Sequence, residues 1–327
     1  MKVPRPKLGL WKLAAEEMKE YKFLAPLTEL PPWDVPDKVV IKVAVSGRTA
    51  VPGFTGEEGF PSSIEQFIKA SSEVIEAGAP SVALDFTWVR DSSGKRLDID
   101  YKPVDAYRMV LDPLRRKFGR RFVADLNVLN GETFDDNMAP VREGLAEVAL
   151  CASGHPKEFV QAAIDEVQEN GARPSVVIHS PGEVYLAKKW LIDTGILEKP
   201  FCFEILFGLP FDSGRTLLSG SYVTNFKDMV TFLMYIVDQL YRLDREAVIQ
   251  VDIAGRMSSF ETAVSLMMGL HIRVGTEDTI WRFPHKNEIV KGNLQIFNDA
   301  KQLAALLGRD IADAEHYRKI LQIAGPR

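Results

Sequence analysis

The sequence predicts an α/β protein, specifically a (β/α)₈ TIM barrel with an N-terminal arm and a C-terminal helical extension. From residue 38 onwards, short β-branched runs alternate with longer segments of helical periodicity, and eight such pairs can be counted. This alternation implies a parallel sheet covered by helices, and eight units of ordinary size close into a barrel. An open doubly wound sheet is the alternative, but no G-x-G-x-x-G follows the first strand and no Walker-type loop occurs.

The elements are justified by their periodicity and by their capping residues. Residues 1–37 contain scattered prolines and are expected to form an irregular arm, whereas residues 38–327 form the barrel with its C-terminal helices. Ser62 or Ser63 caps the first helix, and Gly171 and Gly195 end two later ones. The strand and helix pairs are, in order, 39–45 with 62–77, 81–88 with 104–118, 122–128 with 136–144, 148–151 with 156–170, 175–179 with 183–193, 201–207 with 225–241, 247–253 with 259–268, and 271–274 with 292–307.

Composition and net charge indicate which classes of molecule the protein binds. A net charge of -5 and a pI near 5.7 argue against a nucleic-acid-binding surface. The two cysteines, Cys151 and Cys202, are far apart and lack metal-type spacing, which favours a reducing, cytoplasmic location. No apolar run approaches the ~20 residues that a membrane span requires. We therefore expect a small-molecule substrate, with no nucleic acid and no membrane partner.

Polar residues at the carboxyl ends of the strands are the candidate site, because barrel enzymes place their chemistry there. The candidates are Ser46, Thr49, Asp85, Thr87, Arg90, Asn127, Asn130, Ser153, His179, Glu183, Glu204, Asp252, Arg256, Arg273, Glu277 and Asp278. Any one of them could simply pair with a neighbour and stabilise a loop. Arg273, Glu277 and Asp278 stand out, since a cation and two acids on one loop can tune a carboxylate for proton abstraction.

The histidines and cysteines near the strands receive separate interpretations. His179 ends the fifth strand and is a candidate ligand or acid–base group. His271 begins the eighth strand, at the opposite rim, and is expected to be a hydrogen-bonded structural residue. Cys151 has no obvious base nearby in the sequence and is expected to belong to the core.

Several segments resemble the β-keto acid cleavage enzymes, which include the 3-keto-5-aminohexanoate cleavage enzyme. The likeness is strongest in Gly255-Arg256 and in residues 268–278, and it continues through His285-Lys286, Asn293 and residues 307–309. Earlier segments, at residues 44–47, 76–79 and 90–94, fall in the order found in the family. The resemblance covers nearly the whole barrel.

This resemblance implies an activity and roles for three residues. The family condenses a β-keto acid with acetyl-CoA and cleaves the product, releasing acetoacetate and a new acyl-CoA, with a divalent metal that is normally zinc. By motif match, Asp278 would be the base, Arg273 its partner and Glu277 a metal ligand. The family is commonly tetrameric, which implies a homotetramer here.

The sequence departs from the family pattern at the expected metal site. Where the family carries H-x-H at the end of strand two, this chain has Phe86-Thr87-Trp88, and neither aromatic side chain can bind zinc. A shift of one residue would instead aim Asp85 and Thr87 into the barrel. Asp85 and Glu277, with His179 or Glu204, would form an oxygen-rich site suited to magnesium or manganese. No tightly bound cofactor is predicted.

A second departure concerns the substrate. The family's substrate-binding glutamate aligns with Thr49, and the nearby Arg48 and Arg90 indicate a more anionic substrate tail. Phe86 and Trp88 could stack on a ring or an apolar chain, although ordinary barrel packing is the alternative. The predicted substrate-binding residues are Ser46, Thr49, Phe86, Trp88, Arg90, Asn127, Ser153, His179 and Arg256.

Three functions remain open from the sequence. The first is carbon–carbon bond cleavage or acyl exchange on a β-keto acid by enolate chemistry, with acetyl-CoA as co-substrate and Asp278 as base. The second is a metal-independent lyase or hydrolase acting on an aromatic or anionic carboxylated substrate. The third is a non-catalytic protein that binds an acyl-CoA or a keto acid.

Overall fold

Eight parallel strands close into a barrel, as the alternating sequence pattern predicts. The structure is a computed structural model that describes Gly9, Lys12 and residues 32–46, 59–86, 102–129, 132–208 and 225–324. The barrel strands are β2 (Ile41–Ala44), β3 (Ser81–Leu84), β4 (Val123–Asn127), β5 (Val148–Ala152), β6 (Arg173–Ile178), β7 (Cys202–Phe207), β8 (Val248–Ile253) and β9 (His271–Val274). Pairing of Lys42 with Arg273 across β2 and β9 closes the barrel.

The described helices follow the strands in the expected order. They are α1 (Ile64–Glu76), α2 (Pro103–Phe118), α3 (Phe134–Arg142), α4 (Lys157–Glu169), α5 (Pro181–Ala187), α6 (Phe226–Leu243), α7 (Ser258–Met267), α8 (Asn293–Leu306) and α9 (Ala314–Leu321). Ser63 caps α1 through a reciprocal capping box with Gln66. The helix predicted for residues 183–193 is instead α5 followed by a π-helical turn, Lys188–Ile192.

The first predicted strand divides into two. Lys38–Val39 forms β1, which pairs in parallel with β10 (Asp310–Ile311) outside the barrel, while Ile41–Ala44 enters the barrel as β2. By contacts the chain separates into two units, Met1–Val35 and Pro36–Arg327. Most of the arm predicted for residues 1–37 lies outside the described residues. No helix in the described part of the chain is long and apolar enough to cross a membrane.

Alternation along the strands separates an outer apolar layer from a polar interior. Outward residues such as Val43, Val82 and Val251 join the large core beneath the helices. At the amino end of the barrel, an apolar floor is closed by α9 and consists of Val40, Val123, Val148, Cys202, Val248, Ala312, Ala314, Tyr317 and Leu321. Several inward positions above this floor carry charged side chains, and these set the candidate site.

Candidate active site

A buried ionic layer fills the middle of the barrel. Lys42 of β2 donates to Asp125 of β4, with Nζ 2.6 Å from Oδ2, and also to Glu204 of β7. All three side chains are almost fully buried. Burial alone would lower the pKa of Lys42, but the charges of Asp125 and Glu204 outweigh it and raise that pKa above its usual value. Lys42 is therefore a permanently charged structural cation.

Arg273 of β9 joins this layer to the acids predicted from the sequence. Its Nη1 lies 2.8 Å from Glu204 Oε1, and its Nη2 lies 2.7 Å from Glu277 Oε1. It also holds both oxygens of Asp278, through Nε to Oδ2 at 3.2 Å and Nη2 to Oδ1 at 2.9 Å. Such two-point contacts fix the plane of a carboxylate as well as its charge. The structure thus brings Arg273, Glu277 and Asp278 together, as the sequence predicts.

Asp252 of β8 adds a further carboxyl to the same cluster. Its Oδ2 lies 3.6 Å from Arg273 Nε, a longer contact than those of Asp278, and the side chain is fully buried. Burial and the neighbouring Asp278 charge raise the pKa of Asp252 well above its ordinary value. Asp252 and Asp278 thus share one cation, and their proximity disfavours a second negative charge at Asp252.

The loop that carries the acids is held tightly against the end of β2. Asn293, at the start of α8, accepts from Thr276 N at 2.9 Å and donates from Nδ2 to Val45 O at 3.2 Å. Thr276 Oγ1 donates to Ser46 O at 2.7 Å, so the buried Ser46 lies beside the loop. Gly275 approaches β2 so closely that an added Cβ would lie 2.0 Å from Ala44 O. These contacts fix the acids on a rigid support.

The end of β3 corrects the predicted role of Phe86. Phe86 packs against Phe67 of α1 and Tyr107 of α2, each with a ring-centroid distance of 4.8 Å, on the helix side of the strand. Asp85 occupies the inward position instead, where Asn127 Nδ2 donates to its Oδ2 at 2.8 Å. The alternative register, in which a shift of one residue turns Asp85 towards the barrel interior, is therefore the one found in the structure. Phe86 belongs to the core rather than to a substrate-binding surface.

A second polar group forms at the ends of β5 and β6. The buried Glu183, in the first turn of α5, accepts from the backbone N–H of His179 at 2.6 Å. The same oxygen, Oε2, lies 3.1 Å from His179 Nδ1 and 3.3 Å from Ser153 Oγ. Burial lowers the pKa of His155, and the charge of His179 contributes in the same direction. Ser153 and His179, both predicted site residues, are thus brought together by Glu183.

The remaining predicted residues divide into three kinds. Arg256 lies over the Trp281 ring at 3.7 Å, and its described contacts are with the loop at residues 281–287 rather than with the acids. Thr49, Trp88 and Arg90 lie outside the described residues.

His271 Nδ1 accepts from Val40 N at 3.1 Å, and burial lowers the pKa of His271 to about 3, which agrees with a structural role. Cys151 is buried in the core, as predicted.

Comparison with known proteins decides the family. Residues 38–323 match the sequence model of the β-keto acid cleavage enzymes. This chain belongs to that family. The 3-keto-5-aminohexanoate cleavage enzyme of Fusobacterium nucleatum is 22% identical over 302 residues, which cover 88% of this chain and 98% of that protein. The enzyme of the same name from Acetoanaerobium sticklandii is 20% identical over 299 residues, covering 88% and 99%.

Solved structures support the same fold. A ternary complex of ObcA with a C4-CoA adduct and oxalate aligns with a TM-score of 0.60 and 17% identity, covering 81% of this chain and 68% of that chain. At this identity the likeness concerns the fold alone. It agrees with the closed barrel of β-keto acid cleavage enzymes described above.

The described residues of this chain do not fit the zinc ion that the family resemblance implies. Phe86 has no donor atom and faces the helices, and Glu277 Oε1 accepts from Arg273. Across the described ranges, no three His, Cys, Asp or Glu side chains converge in a way that could hold a metal ion. We therefore derive no reaction step through a metal.

Sequence reasoning missed two residues of the site, Lys42 and Asp125. A usable signal was present, because each is a charged residue at an inward position of an otherwise apolar strand. Opposite charges on inward positions of strands that face one barrel interior indicate a buried pair. Lys42 and Asp125 lie within their strands, whereas the candidate residues were sought at the carboxyl ends of the strands.

Proposed function

We propose that this chain deprotonates a β-keto acid at the carbon between its two carbonyl groups and uses the enolate for carbon–carbon bond cleavage or acyl exchange. Asp278 is the base and Arg273 is its partner. Acetyl-CoA is the proposed co-substrate. The observation that carries the proposal is the two-point contact of Arg273 with both oxygens of Asp278.

This contact supports a base in a defined orientation. A carboxylate has about four lone-pair sites, so Asp278 can accept from Arg273 on each oxygen and still accept a substrate proton. Arg273 is itself held by Glu204 and Glu277, which prevents it from turning away. General bases must lie within hydrogen-bond reach of the proton that they take, and a fixed carboxylate meets that condition with little reorganisation.

The test is turnover of a panel of β-keto acids in the presence of acetyl-CoA, followed by mass spectrometry of the acyl-CoA products. Asp278→Asn should lower turnover by about 10²-fold or more, the usual range for loss of a positioned base. Asp238→Asn, in an exposed ion pair on α6, is the matched control and should leave turnover unchanged. Equal turnover in Asp278→Asn and the unsubstituted protein would show that Asp278 is not the base.

The second function considered, a metal-independent lyase or hydrolase acting on an aromatic or anionic carboxylated substrate, differs from the first in its products. Elemental analysis after purification tests both, because about one equivalent of tightly bound metal per chain is expected only where a metal takes part. Cleavage of a carboxylated substrate without any acyl-CoA product would favour the lyase.

A further inference from the structure

This inference rests on the proposed function and concerns the group that stabilises the enolate. Removing a proton from a β-keto acid places negative charge on the keto oxygen, and a catalyst must supply a cation or a hydrogen-bond donor there. The position matched to one family histidine is occupied by Phe86, which packs on Phe67 and Tyr107. Another group has to act on the oxygen.

Three strong cations of the described part of the barrel are already engaged. Lys42 donates to Asp125 and Glu204, below the acids. Arg273 directs its guanidinium nitrogens to Glu204, Glu277 and Asp278. Arg256 donates to Lys286 O and Asn287 Oδ1 on the neighbouring loop. None of these three has its charged group directed at a substrate.

Among the described side chains at the carboxyl ends of the strands, His179 combines partial exposure with a buried carboxylate partner. On β6, Ile178 packs on the helix side and Val177 packs in the barrel interior, so the alternation of the strand places His179 towards the interior. Its side chain is 19% exposed, whereas that of Glu183 is 1% exposed. The histidine can therefore be reached by a ligand while its carboxylate partner cannot.

Glu183 determines which histidine nitrogen is presented. Its Oε2 lies 3.1 Å from Nδ1 and also accepts from the backbone N–H of His179 at 2.6 Å. A carboxylate at Nδ1 keeps a proton on that nitrogen and stabilises the imidazolium, which leaves Nε2 to meet the ligand. We propose that His179, oriented by Glu183, gives its Nε2 proton to the keto oxygen as Asp278 takes the carbon-bound proton.

The step is balanced without any further reactant. The carbon–hydrogen bond breaks and its proton passes to Asp278, while its electron pair forms the carbon–carbon double bond. The carbonyl π electrons move to oxygen, which forms a bond to the proton released by the His179 Nε2–H. The products are an enol, a neutral imidazole and a protonated Asp278. His179 is a catalytic residue in this step, and Glu183 is a positioning residue that acts through it.

Helix capping is the competing explanation for Glu183. It is the third residue of α5, and Ser180 at the N-cap makes no side-chain capping bond. A glutamate at this position commonly reaches back to a free backbone N–H at the helix start. Capping alone would make Glu183→Gln affect stability without changing the chemistry of His179, so the experiment needs a readout beyond stability.

The experiment follows exchange of the carbon-bound protons of β-keto acids into D₂O by ¹H NMR. The probes are acetoacetate and a set of longer β-keto acids, without any thioester, and the protein is dialysed against EDTA. We expect the unsubstituted protein to exchange these protons faster than buffer. His179→Gln should lower the enzymatic rate by about 10²-fold, because the general acid is lost.

Glu183→Gln and a distant histidine complete the design. Glu183→Gln should lower the exchange rate by roughly tenfold, as loss of an orienting partner does, and should change the His179 tautomer seen in ¹⁵N spectra. Glu183→Asp should recover part of the rate. His316→Gln, at the amino end of the barrel on α9, is the matched control and should exchange like the unsubstituted protein. Circular dichroism establishes that each variant is folded.

The outcomes separate this inference from the proposed function. If Asp278→Asn stops exchange but His179→Gln does not, the role of His179 is wrong and the proposed function stands. If EDTA stops exchange and zinc restores it, a metal acts on the oxygen and the inference is overturned. If no β-keto acid exchanges with the unsubstituted protein, the proposed function fails and this inference fails with it. If the His179 tautomer is unchanged in Glu183→Gln, Glu183 does not position His179 and acts only as a helix cap.

Discussion

Lys42 lies in the middle of the barrel with both of its carboxylate partners buried beside it. Lys42→Met would leave Asp125 and Glu204 without this cation, and breaking such a buried pair costs about 3–5 kcal/mol of unfolding free energy. Lys117→Met is the matched control, because Lys117 pairs with Glu76 in solvent and should lose less than about 1 kcal/mol. Urea unfolding of both variants measures the difference. Equal losses would contradict a structural role for the ionic layer.

The buried carboxyl group of Glu261 makes the free energy of unfolding depend on pH. Burial raises the pKa of Glu261 from 4.5 to about 8, although Ser265 Oγ donates to its Oε1 at 2.6 Å. Between these two values the folded protein retains a proton that the unfolded chain releases. The free energy of unfolding therefore falls as pH rises through this window, by up to about 1.4 kcal/mol per pH unit.

Glu261→Gln cannot titrate and should remove this part of the pH dependence. Urea unfolding at several pH values from 5 to 8.5 compares it with the unsubstituted protein. Glu65→Gln, on an exposed part of α1, should keep the original dependence. Parallel curves for Glu261→Gln and the unsubstituted protein would mean that Glu261 is ionised in the folded state at neutral pH.

At the scale of single residues, only part of the site could be predicted from the sequence. Arg273 and Asp278 were predictable because they lie five positions apart, at the end of β9 and in the loop that follows it. The orientation of Phe86 was not, because one residue of register decides whether a strand-end side chain meets the helices or the interior. The contact of Glu183 with both Ser153 and His179 depends on where β5 and β6 meet, which no single segment encodes.

Helix α9 closes the amino end of the barrel, and its packing can be tested directly. Leu321 is fully buried in the apolar floor with residues of the barrel strands. Leu321→Ala should lower the free energy of unfolding by about 2–5 kcal/mol, the range for a cavity in a packed core. Leu306→Ala, on α8 with 84% of the side chain exposed, should change it by less than about 0.5 kcal/mol. Guanidinium unfolding curves provide the comparison. Similar midpoints would show that α9 does not pack firmly.

Elements were predictable where their local signals were strong. The capping box of Ser63 with Gln66 fixes the start of α1, and prolines at the first turns fix α2 and α5. The division of the first strand into β1 and β2 was not predictable, since residues 39–45 form one continuous apolar run interrupted only by Lys42. Only the distant β10 determines which part of that run leaves the barrel.

At the scale of the whole molecule, Arg309 joins distant parts of the chain beneath the barrel. It donates to five backbone carbonyl oxygens, those of Pro36, Lys38, Leu266, Gly269 and Leu270. Arg309→Lys keeps the charge but loses the planar set of donors. We expect a loss of at least about 2 kcal/mol in unfolding free energy, since buried acceptors lose their partners.

Hydrogen–deuterium exchange locates the effect of Arg309→Lys. Amide exchange should become faster at residues 37–39, where β1 pairs with β10, than in the centre of the barrel. Arg242→Lys, in an exposed ion pair with Asp238, should leave both regions unchanged. Uniformly faster exchange throughout the barrel would mean that Arg309 acts on global stability instead of on β1.

The overall architecture was the most predictable level. Eight repeated strand and helix units, each with its own hydrophobic pattern, indicate a closed parallel barrel even when individual boundaries move by a few residues. The interior charges were less predictable, because each depends on partners from several strands. Asp125, Glu204 and Lys42 come from three different strands and make sense only together.

Glu204 accepts from both Lys42 and Arg273, so the cation of the ionic layer and the cation that holds Asp278 meet on one carboxylate. Substitutions at these positions are therefore expected to be strongly non-additive. A directed-evolution library that varies one of them at a time would discard most variants as unfolded before their activity could be selected. Randomising residues 42, 125 and 204 jointly, with 273 kept as arginine, is the way to find other folded arrangements of this layer.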